Sequence, residues 1–239
     1  MTDTTTVAPA ARLFPSPAFP TVPVIGERAE FPVHRIFCVG RNYAEHAREM
    51  GVEVDREAPF YFTKSPLAIV PTGATVPYPA GTENYHYEME LVVAIGARAW
   101  KVSVADARHA ILGYAAGLDM TRRDLQLAAR AKQRPWDVGK DFEKSAVIAP
   151  ITRAADFAVA DQAIRLALNG ETRQDAKLSD LVWRVEEIIS HLSRYYHLEP
   201  GDLIYTGTPA GVGAVVTGDT ILGTVDGLDP VELTIGAAE

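Results

Sequence analysis

Residues 87–95 read Tyr87-Glu88-Met89-Glu90-Leu91-Val92-Val93-Ala94-Ile95. The β-branched apolar run that ends this segment predicts a buried strand over Tyr87–Ile95. Residues two apart on a strand point to the same face, so Glu88 and Glu90 would project side by side while Met89 faces the other way. Burying two neighbouring carboxylates costs several kcal/mol unless a cation compensates their repulsion. The segment therefore predicts a core strand with an acidic pair beside the core.

A third acidic residue, Asp119, follows the apolar segment Ile111–Leu118, which predicts another strand. Three oxygen ligands without a nearby Cys or His set favour Mg²⁺, Mn²⁺ or Ca²⁺ over Zn²⁺. The alternative is that Glu88 and Glu90 flank a solvent-facing edge and that Asp119 only precedes a helix capped by Thr121. The spacing alone leaves both interpretations open.

The rest of the chain is rich in short predicted strands joined by turns. These lie at Arg35–Val39, Pro59–Thr63, Ile164–Asn169, Asp202–Thr206, Thr220–Val225 and Pro230–Ile235, with a strand or turn at Pro66–Val70. Helices are predicted over Tyr43–Met50, Ser103–His109, Thr121–Ala131 and Leu181–Tyr195, and loops over Pro71–Gly81 and Arg134–Phe142. There is no regular alternation of strand and helix. We expect an α+β, β-dominated fold, a twisted sheet or roll with helices packed outside.

The composition fits one large globular domain with a short appendage. The chain has 239 residues, of which 47% are hydrophobic, and a net charge of −8. Residues 1–29 are rich in Thr, Ala and Pro, with Pro15, Pro17, Pro20 and Pro23 excluding regular helix. We expect a frayed tail that continues as an extended arm, followed by a globular domain over residues 30–239.

Several classes of protein are disfavoured by the same data. The sequence contains no Lys/Arg-rich block of the kind that binds nucleic acid. No apolar run reaches the roughly 18 residues that are needed to span a membrane. Cys38 is the single cysteine, so no internal disulfide can form, and it lies in the apolar run Ile36–Val39. We expect a buried thiol and a cytoplasmic protein.

Two further sets of polar residues are of the types that often act in catalysis: the pair His46 and Glu49, and Lys140. His46 and Glu49 are three residues apart on a predicted helix and would be neighbours, so the carboxylate could orient the imidazole as a general base. Lys140 lies in a loop framed by Pro135 and Gly139 and could stabilise negative charge. The alternatives are a surface ion pair for the first and a solvated lysine for the second.

Two segments could bind anions. Arg122 and Arg123 open a predicted helix, where cations oppose the helix dipole, and Gln126 lies one turn further on the face of Arg123. That conflict indicates a purpose, such as binding an anion beside the metal. Residues 206–213 form a glycine-rich turn without the ending of a phosphate-binding loop. The turn either offers backbone N–H groups to a carboxylate or is a plain tight turn.

These pieces, in this order, resemble the fumarylacetoacetate hydrolase family in its acylpyruvase-like branch. The resemblance runs from about Arg35 to Ile235. It rests on the segments Val39–His46, Tyr87–Leu91, Gly117–Thr121, Asp124–Gln126, Gly139–Phe142 and Thr206–Gly213.

The resemblance implies a fold, a cofactor and a set of site residues. The fold is a β-rich roll of the fumarylacetoacetase C-terminal type, and members are commonly homodimers. One Mg²⁺ or Mn²⁺ per subunit would bind to Glu88, Glu90 and Asp119. A lid helix would carry the catalytic pair His46 and Glu49, with Lys140 as the family lysine. Substrate contacts would fall on Arg41, Arg123, Gln126 and Thr208.

Within the family, the segments Arg122–Gln126 and Pro135–Lys140 look most like members that hydrolyse fumarylpyruvate. The implied activity is hydrolytic cleavage of a C–C bond in a 2,4-dioxo acid, giving fumarate and pyruvate in gentisate-type aromatic degradation. His46, oriented by Glu49, would deprotonate the attacking water. Arg122 adds a cation beside Arg123, which would suit a dicarboxylate.

Two alternatives remain at this stage. The same metal site could decarboxylate oxaloacetate or isomerise a 2-oxo dicarboxylate, and neither reaction needs an attacking water. A rival of another class is a non-catalytic module in which the three acidic residues hold a structural cation.

Overall fold

A computed structural model describes residues 13–15, 18–51 and 56–238 of the chain. The strands in it are β1 (Thr21–Pro23), β2 (Glu30–Pro32), β3 (Arg35–Gly40), β4 (Phe60–Lys64), β5 (Ile69–Pro71), β6 (Ala74–Pro77), β7 (Tyr85–Tyr87), β8 (Met89–Ile95), β9 (Ile111–Asp119), β10 (Thr121–Arg122), β11 (Ala146–Ile148), β12 (Thr152–Arg153), β13 (Ala163–Leu168), β14 (Glu171–Lys177), β15 (Asp202–Tyr205), β16 (Gly213–Val215), β17 (Thr220–Val225) and β18 (Val231–Gly236). The helices are α1 (Ala44–Glu49), α2 (Val104–Ala107), α3 (Arg123–Ala131), α4 (Asp137–Lys140) and α5 (Val185–Leu192), with 3₁₀ turns at Pro66–Ala68, Arg108–Ala110 and Leu178–Asp180.

The strands form two main sheets. The larger has the order β4-β3-β15-β8-β9-β11-β5, with β12 added beside β9, and the second has the order β14-β13-β17-β18-β6. A small sheet, β10-β7-β16, and the pair β1-β2 complete the described strands. This is the strand-dominated α+β fold expected from the many short apolar segments.

Strand β8 lies at the centre of the large sheet and is buried on both faces. Leu91, Val93 and Ile95 belong to the larger apolar cluster, whereas Val92 and Ala94 belong to a smaller one on the opposite face. Because both faces are covered, the run is continuously apolar instead of alternating. The prediction of a buried core strand in this segment is confirmed.

One end of the large sheet gathers the segments that the sequence analysis singled out. Strand β8 begins there and its antiparallel neighbour β9 ends there, with Met89 opposite Leu118. Strand β15 ends there as well, because it runs antiparallel to β8, and β3 ends beside it because β3 and β15 are parallel. The topology therefore brings together four chain segments that are far apart in sequence.

The arm before residue 30 lies partly within the described residues. Its segment Thr21–Pro23 forms β1 and pairs with β2, as an extended arm would. Val22 and Val24 are buried in the smaller apolar cluster, so this part of the arm packs on the sheet. The expected tail at residues 1–12, and Pro17, lie outside the described residues. The division at residue 30 stays a prediction.

Several predicted boundaries are wrong. The strand predicted over Tyr87–Ile95 is two strands, β7 and β8, in different sheets, because the chain passes from one sheet to the other at Glu88. The predicted loops contain regular elements: β6 lies within 71–81, and α4 lies within 134–142. Strand β6 pairs with β18, more than 150 residues away, so nothing local predicts it.

Two predicted helices begin too early. Helix α3 begins at Arg123, because Thr121 belongs to β10, pairs with His86 and caps no helix. The helix predicted over Leu181–Tyr195 is shorter, Val185–Leu192, because Leu181 bridges to Tyr43. The other predicted strands and helices agree with the structure to within a few residues, whereas β11, β12, β14 and β16 were not predicted.

Two of the wider expectations can be compared with the structure. Cys38 is fully buried, and burial raises the pKa of its thiol well above the usual value, as expected for an inert thiol. Among the described residues, no helix combines the length and apolarity needed to cross a bilayer.

Candidate active site

Three buried carboxylates meet at the end of the large sheet. We call Glu88, Glu90 and Asp119 the carboxylate cage. Each offers one oxygen, and these oxygens all lie within 4.8 Å of one another. The three residues are between 0% and 5% exposed. Although Glu88 precedes β8 instead of belonging to it, the expected convergence of the three acidic residues is present.

The backbone fixes this convergence. Asp119 ends β9 and donates its backbone N–H to the carbonyl of Glu88, at 2.9 Å. Glu90 lies opposite Gly117 in the β8–β9 ladder, and its Oε2 accepts from the backbone N–H of Gly207 at 2.7 Å. The residues that carry the carboxylates are therefore held by the sheet and by the turn that follows β15.

Three cationic side chains surround the cage. The ammonium of Lys140 donates to Glu88 Oε2 at 2.7 Å and to Asp119 Oδ2 at 2.6 Å. Arg123 donates to Glu88 Oε1 and, at 2.5 Å, to Gln126 Oε1. The Lys64 ammonium lies 2.9 Å from Asp119 Oδ1. The cage is thus charge-compensated within the protein, which is the condition for burying carboxylates.

The cations act unequally on the three acids. Burial alone would raise the pKa of Glu88, but Lys140 and Arg123 outweigh it and hold that pKa well below its usual range. For Glu90, burial and the charges of Asp119 and Glu88 raise the pKa well above its usual range. Burial opposes the charged form of Lys140, but Asp119 and Glu88 raise its pKa. Glu90 is therefore the carboxylate with the least compensation.

One oxygen of the cage lacks a hydrogen-bond donor. The three N–H groups of Lys64 point to the carbonyls of Met120 and Lys140 and to Ser145 Oγ. Asp119 Oδ1 is therefore in charge contact with Lys64 but accepts no hydrogen bond from the residues that the structure describes. A buried carboxylate oxygen without a donor, beside a second under-compensated carboxylate, fits a hard divalent cation bound through oxygen.

The short helix α1 carries the histidine and glutamate predicted as a pair. His46 Nδ1 lies 3.1 Å from Glu49 Oε2, and His46 is only 6% exposed. The backbone N–H of Gly211 also donates to Glu49, at 3.1 Å to Oε1. Because Glu49 is held from two sides, it fixes the orientation of the imidazole. The pair is an oriented histidine beside a cavity, and the alternative of a surface ion pair is not supported.

The glycine-rich turn over residues 206–213 binds carboxylates through its backbone. Gly207 donates to Glu90 and Gly211 donates to Glu49. Gly211 has a φ of +96°, and a Cβ added there would meet the carbonyl oxygen of Arg173 at 2.0 Å. Glycine is therefore required at this point of the turn. Of the two interpretations of this segment, the one with N–H groups offered to carboxylates agrees with the structure.

A short helix places the lysine. Lys140 ends α4, which was predicted as a loop, and Gly139 lets α4 approach α3 closely. A Cβ at Gly139 would lie 2.8 Å from the backbone nitrogen of Gln126. Lys140 is 2% exposed, so the alternative of a solvated loop lysine is wrong.

A narrow cleft joins the predicted site residues. Next to the cage its free volume is about 30 Å³, about one water molecule's share of liquid volume. Its lining includes most of the predicted residues: Arg41, His46, Glu88, Glu90, Arg123, Gln126, Lys140 and Thr208. Asp119 lies below them as a partner of Lys140, and Glu49 lies behind His46.

Arg122 is not brought to this cleft. Its guanidinium carbon lies 4.2 Å from the centre of the Phe142 ring, and its Nη1 donates to the carbonyl of Val138 at 3.4 Å. Arg122 ends strand β10 and Arg123 begins α3, so the two neighbouring side chains lie in different surroundings. The prediction that Arg122 lies beside Arg123 at the substrate is not supported by this placement.

Three residues near the site were not predicted. Lys64 neutralises Asp119, His86 lies 3.5 Å from Arg123 Nε through its Nδ1, and Arg130 lines the cleft. Burial and the charge of Arg123 lower the pKa of His86 to about 4, so it stays neutral. Lys64 ends the aromatic strand Phe60–Lys64, and a lysine that ends so apolar a strand could have indicated a buried, paired cation.

A buried oxygen-ligand cation site, faced by an oriented histidine and a lysine in a β-rich roll, is the arrangement of a metal-dependent enzyme. Residues 35–236 match the family described as fumarylacetoacetate (FAA) hydrolase C-terminal. The chain belongs to this family.

Individual relatives agree with the family assignment. A fumarylpyruvate hydrolase of Ralstonia sp is 58% identical over 192 residues, which span 80% of this chain and 100% of that protein. An oxaloacetate tautomerase of Escherichia coli is 35% identical over 204 residues, spanning 84% and 93%. The crystal structure of fumarylpyruvate hydrolase from Pseudomonas aeruginosa in complex with Mn²⁺ and pyruvate is 46% identical, with a TM-score of 0.92, and the match covers 95% of this chain and 100% of that one.

Proposed function

We propose that this protein is a metal-dependent hydrolase that cleaves fumarylpyruvate to fumarate and pyruvate. The observation that carries the proposal is that one cleft joins the carboxylate cage, Lys140 and the oriented His46. Among relatives, the Ralstonia protein with 58% identity is a fumarylpyruvate hydrolase, and the Pseudomonas aeruginosa structure holds Mn²⁺ and pyruvate.

Glu88, Glu90 and Asp119 would hold one Mn²⁺ or Mg²⁺ per subunit. Bound there, the cation would supply Lewis-acid stabilisation of negative charge that develops on substrate oxygens. The under-compensated Glu90 and the undonated Asp119 Oδ1 are the parts of the cage that a cation would satisfy. Arg123 and Gln126, which hydrogen-bond to each other beside Glu88, would bind the 1-carboxylate of the substrate, and Thr208, which also lines the cleft, would be a further contact.

The histidine would activate water. Because Glu49 accepts from Nδ1–H of His46, Nε2 carries the lone pair and is free to take a proton. Water then adds to the 4-oxo carbon, the C3–C4 bond breaks, and the electron pair passes to the pyruvate half as an enolate. The ammonium of Lys140 stabilises that negative charge. Protonation at C3 gives pyruvate, and the former 4-oxo carbon becomes a carboxylate of fumarate.

The test is an assay of the purified protein on fumarylpyruvate with Mn²⁺, followed by the loss of diketo-acid absorbance. Chelation by EDTA should abolish turnover, and added Mn²⁺ should restore it. His46→Ala should lower kcat by about 10²- to 10⁴-fold, the usual contribution of general-base catalysis, while Mn²⁺ and pyruvate still bind. The matched control is His109→Ala, which removes an exposed histidine outside the cleft.

A second candidate function uses the same cage. Relatives with 35% to 43% identity are oxaloacetate tautomerases, and tautomerisation needs no attacking water. If the protein tautomerises oxaloacetate but leaves fumarylpyruvate intact, this candidate replaces the hydrolase. If it acts on neither and keeps a cation that only raises its melting temperature, the cage is a structural site.

The family resemblance also supports three expectations about the setting of the enzyme. We propose a homodimer, a cytoplasmic location and a role in gentisate-type aromatic catabolism. The mass of the purified protein in solution, measured by light scattering, tests the first of these.

A further inference from the structure

The cleft at the carboxylate cage opens into a larger groove of about 510 Å³. Arg41, Phe62, Arg130, Trp136 and Lys140 line both spaces, so the two are continuous. A molecule anchored at the cage by one end could therefore extend into the groove with the other.

Two of the cations that line both the cleft and the groove have no carboxylate partner among the described residues. Neither Arg41 nor Arg130 forms an ion pair with any residue in the described ranges, and the single polar contact of Arg130 there is with the carbonyl of Met50, at 3.1 Å. Burial, and then the charge of Arg130, lower the pKa of Arg41. Two neighbouring guanidinium groups repel each other, and a bound carboxylate would relieve this repulsion.

The backbone conformation of Arg41 also indicates a functional role. Arg41 has a φ of +58°, in the left-handed region that side chains other than Asn, Asp and Gly rarely adopt. It lies at the end of β3, where the chain turns into the helix of His46. Such local strain is concentrated at functional sites. Here it directs a cation to the junction between the cleft and the groove.

Aromatic side chains form the adjacent surface. Trp136 lies with its ring centre 5.9 Å from that of Phe62 and 4.9 Å from that of Phe60. The Arg41 guanidinium is 5.7 Å from the centre of the Phe60 ring and 5.9 Å from that of Trp136. We call Arg41, Arg130, Phe62 and Trp136 the arginine wall. Flat rings beside guanidinium groups suit a planar, conjugated chain that ends in a carboxylate.

We propose that the arginine wall is a subsite for the distal carboxylate of the substrate, with Arg130 and Arg41 binding the carboxylate and Phe62 and Trp136 packing against the unsaturated acyl chain. The inference rests on the proposed function, because it takes the other end of the substrate to be anchored at the cage. It assigns to Arg130 and Arg41 the preference for a dicarboxylate that the sequence had assigned to Arg122.

The test compares two substrates that differ at the distal end. Fumarylpyruvate carries the distal carboxylate, and acetylpyruvate lacks it. Arg130→Gln should lower kcat/KM for fumarylpyruvate by about 10- to 100-fold, the range for a lost hydrogen bond to a charged group, and leave acetylpyruvate within about threefold. Arg41→Gln should do the same, and Arg130→Lys should recover part of the loss.

The control variant is Lys132→Gln, which removes the same charge two residues from Arg130 but outside the groove. Lys132→Gln should leave kcat/KM unchanged for both substrates. If Arg130→Gln and Arg41→Gln each lower kcat/KM for both substrates by the same factor, the arginine wall is not a distal subsite. The same conclusion follows if Lys132→Gln lowers kcat/KM for fumarylpyruvate as much as they do.

A binding arm separates this inference from the proposed function. In the His46→Ala protein, titration calorimetry with Mn²⁺ measures Kd for both substrates without turnover. When Arg130→Gln is added to His46→Ala, the Kd for fumarylpyruvate should rise by the same 10- to 100-fold, and the Kd for acetylpyruvate should stay unchanged. If wild-type protein hydrolyses neither substrate, the proposed function fails, whereas equal weakening of both ligands, or of neither, in this titration overturns the subsite.

Discussion

The carboxylate cage and the arginine wall lie side by side, yet their charges are compensated in opposite ways. In the cage, Lys64, Arg123 and Lys140 contact the buried carboxylates directly. In the wall, Arg41 and Arg130 pair with aromatic rings or a carbonyl and with no carboxylate in the described part of the chain. The cage is consequently part of the fold, whereas the wall holds cations whose partner arrives with a ligand.

The largest effect is expected from the removal of Lys64, a cage cation that is not among the residues lining the cleft or the groove. Lys64→Met leaves Lys140 as the one cation in contact with Asp119, and leaves Ser145 Oγ and two backbone carbonyls without the Lys64 donor. Breaking a buried pair costs about 3 to 5 kcal/mol, so the free energy of unfolding should fall by roughly that amount. Urea unfolding in EDTA measures it.

The matched variant in the wall is Arg130→Gln, whose free energy of unfolding is compared with that of Lys64→Met. Arg130→Gln should change the free energy of unfolding by less than about 0.5 kcal/mol, as for other partly exposed residues without a buried partner. Lys132→Met controls for the loss of a lysine from the surface. If Lys64→Met lowers the free energy of unfolding no more than Arg130→Gln does, the cage is not a structural part of the fold and does not differ from the wall in this respect.

A smaller effect is expected from ionic strength. The cage is buried, so salt screens its internal pairs little, whereas the wall faces an open groove. Between about 10 mM and 500 mM salt, the ratio of kcat/KM for fumarylpyruvate to that for acetylpyruvate should fall by about two- to fivefold, because only the first substrate uses the exposed cations. The ratio cancels the effect of salt on the end that both substrates share. A constant ratio would mean that the distal carboxylate meets no exposed charge.

The residue pattern predicted the cage but not the wall, of which only Arg41 was expected at the substrate, and that from the family resemblance alone. Glu88, Glu90 and Asp119 adjoin apolar segments whose pattern predicts strands, and buried acids beside strands require a cation. Arg41 and Arg130 lie in a turn and near the end of a helix, far apart in the chain, and each alone has the pattern of a solvated surface residue. Only the tertiary fold shows that they line one groove and that neither contacts a carboxylate among the described residues.

The fold shows the same division between local and distant causes. The central strands were predictable because burial on both faces leaves long apolar runs, as in β8 and β9. The break at Glu88 was not, since the change of sheet depends on the pairing of β7 with β10 and β16. Helix α4 was not predicted because Pro135 and Gly139 are typical of a loop. In the structure, Gly139 allows α4 to pack closely on α3.

Helix α3 links the two regions, with Arg123 and Gln126 at the cage and Arg130 at the wall. Asp124 anchors its first turn by accepting from Thr82 Oγ1 at 2.5 Å and from the backbone N–H groups of Glu83 and Leu125. Its partial burial would raise its pKa, but these hydrogen bonds outweigh it and lower the pKa below the ordinary value of 3.8. The carboxylate form is thus favoured by the fold.

The smallest expected effect follows from Asp124. Because its folded-state pKa lies below the ordinary value, its contribution to stability is present above about pH 3.8 and is lost as the pH falls through the folded-state pKa. Asp124→Asn should lower the free energy of unfolding by about 0.5 to 1 kcal/mol at pH 7, the size of a charge at a helix N-terminus, and by less at pH 4. Urea midpoints at the two pH values measure this, with Asp156→Asn as a control in a turn away from both regions. Since the change loosens the helix that joins cage and wall, it should also weaken the preference for fumarylpyruvate slightly; a loss of stability that is the same at both pH values would show that Asp124 acts through its shape and not its charge.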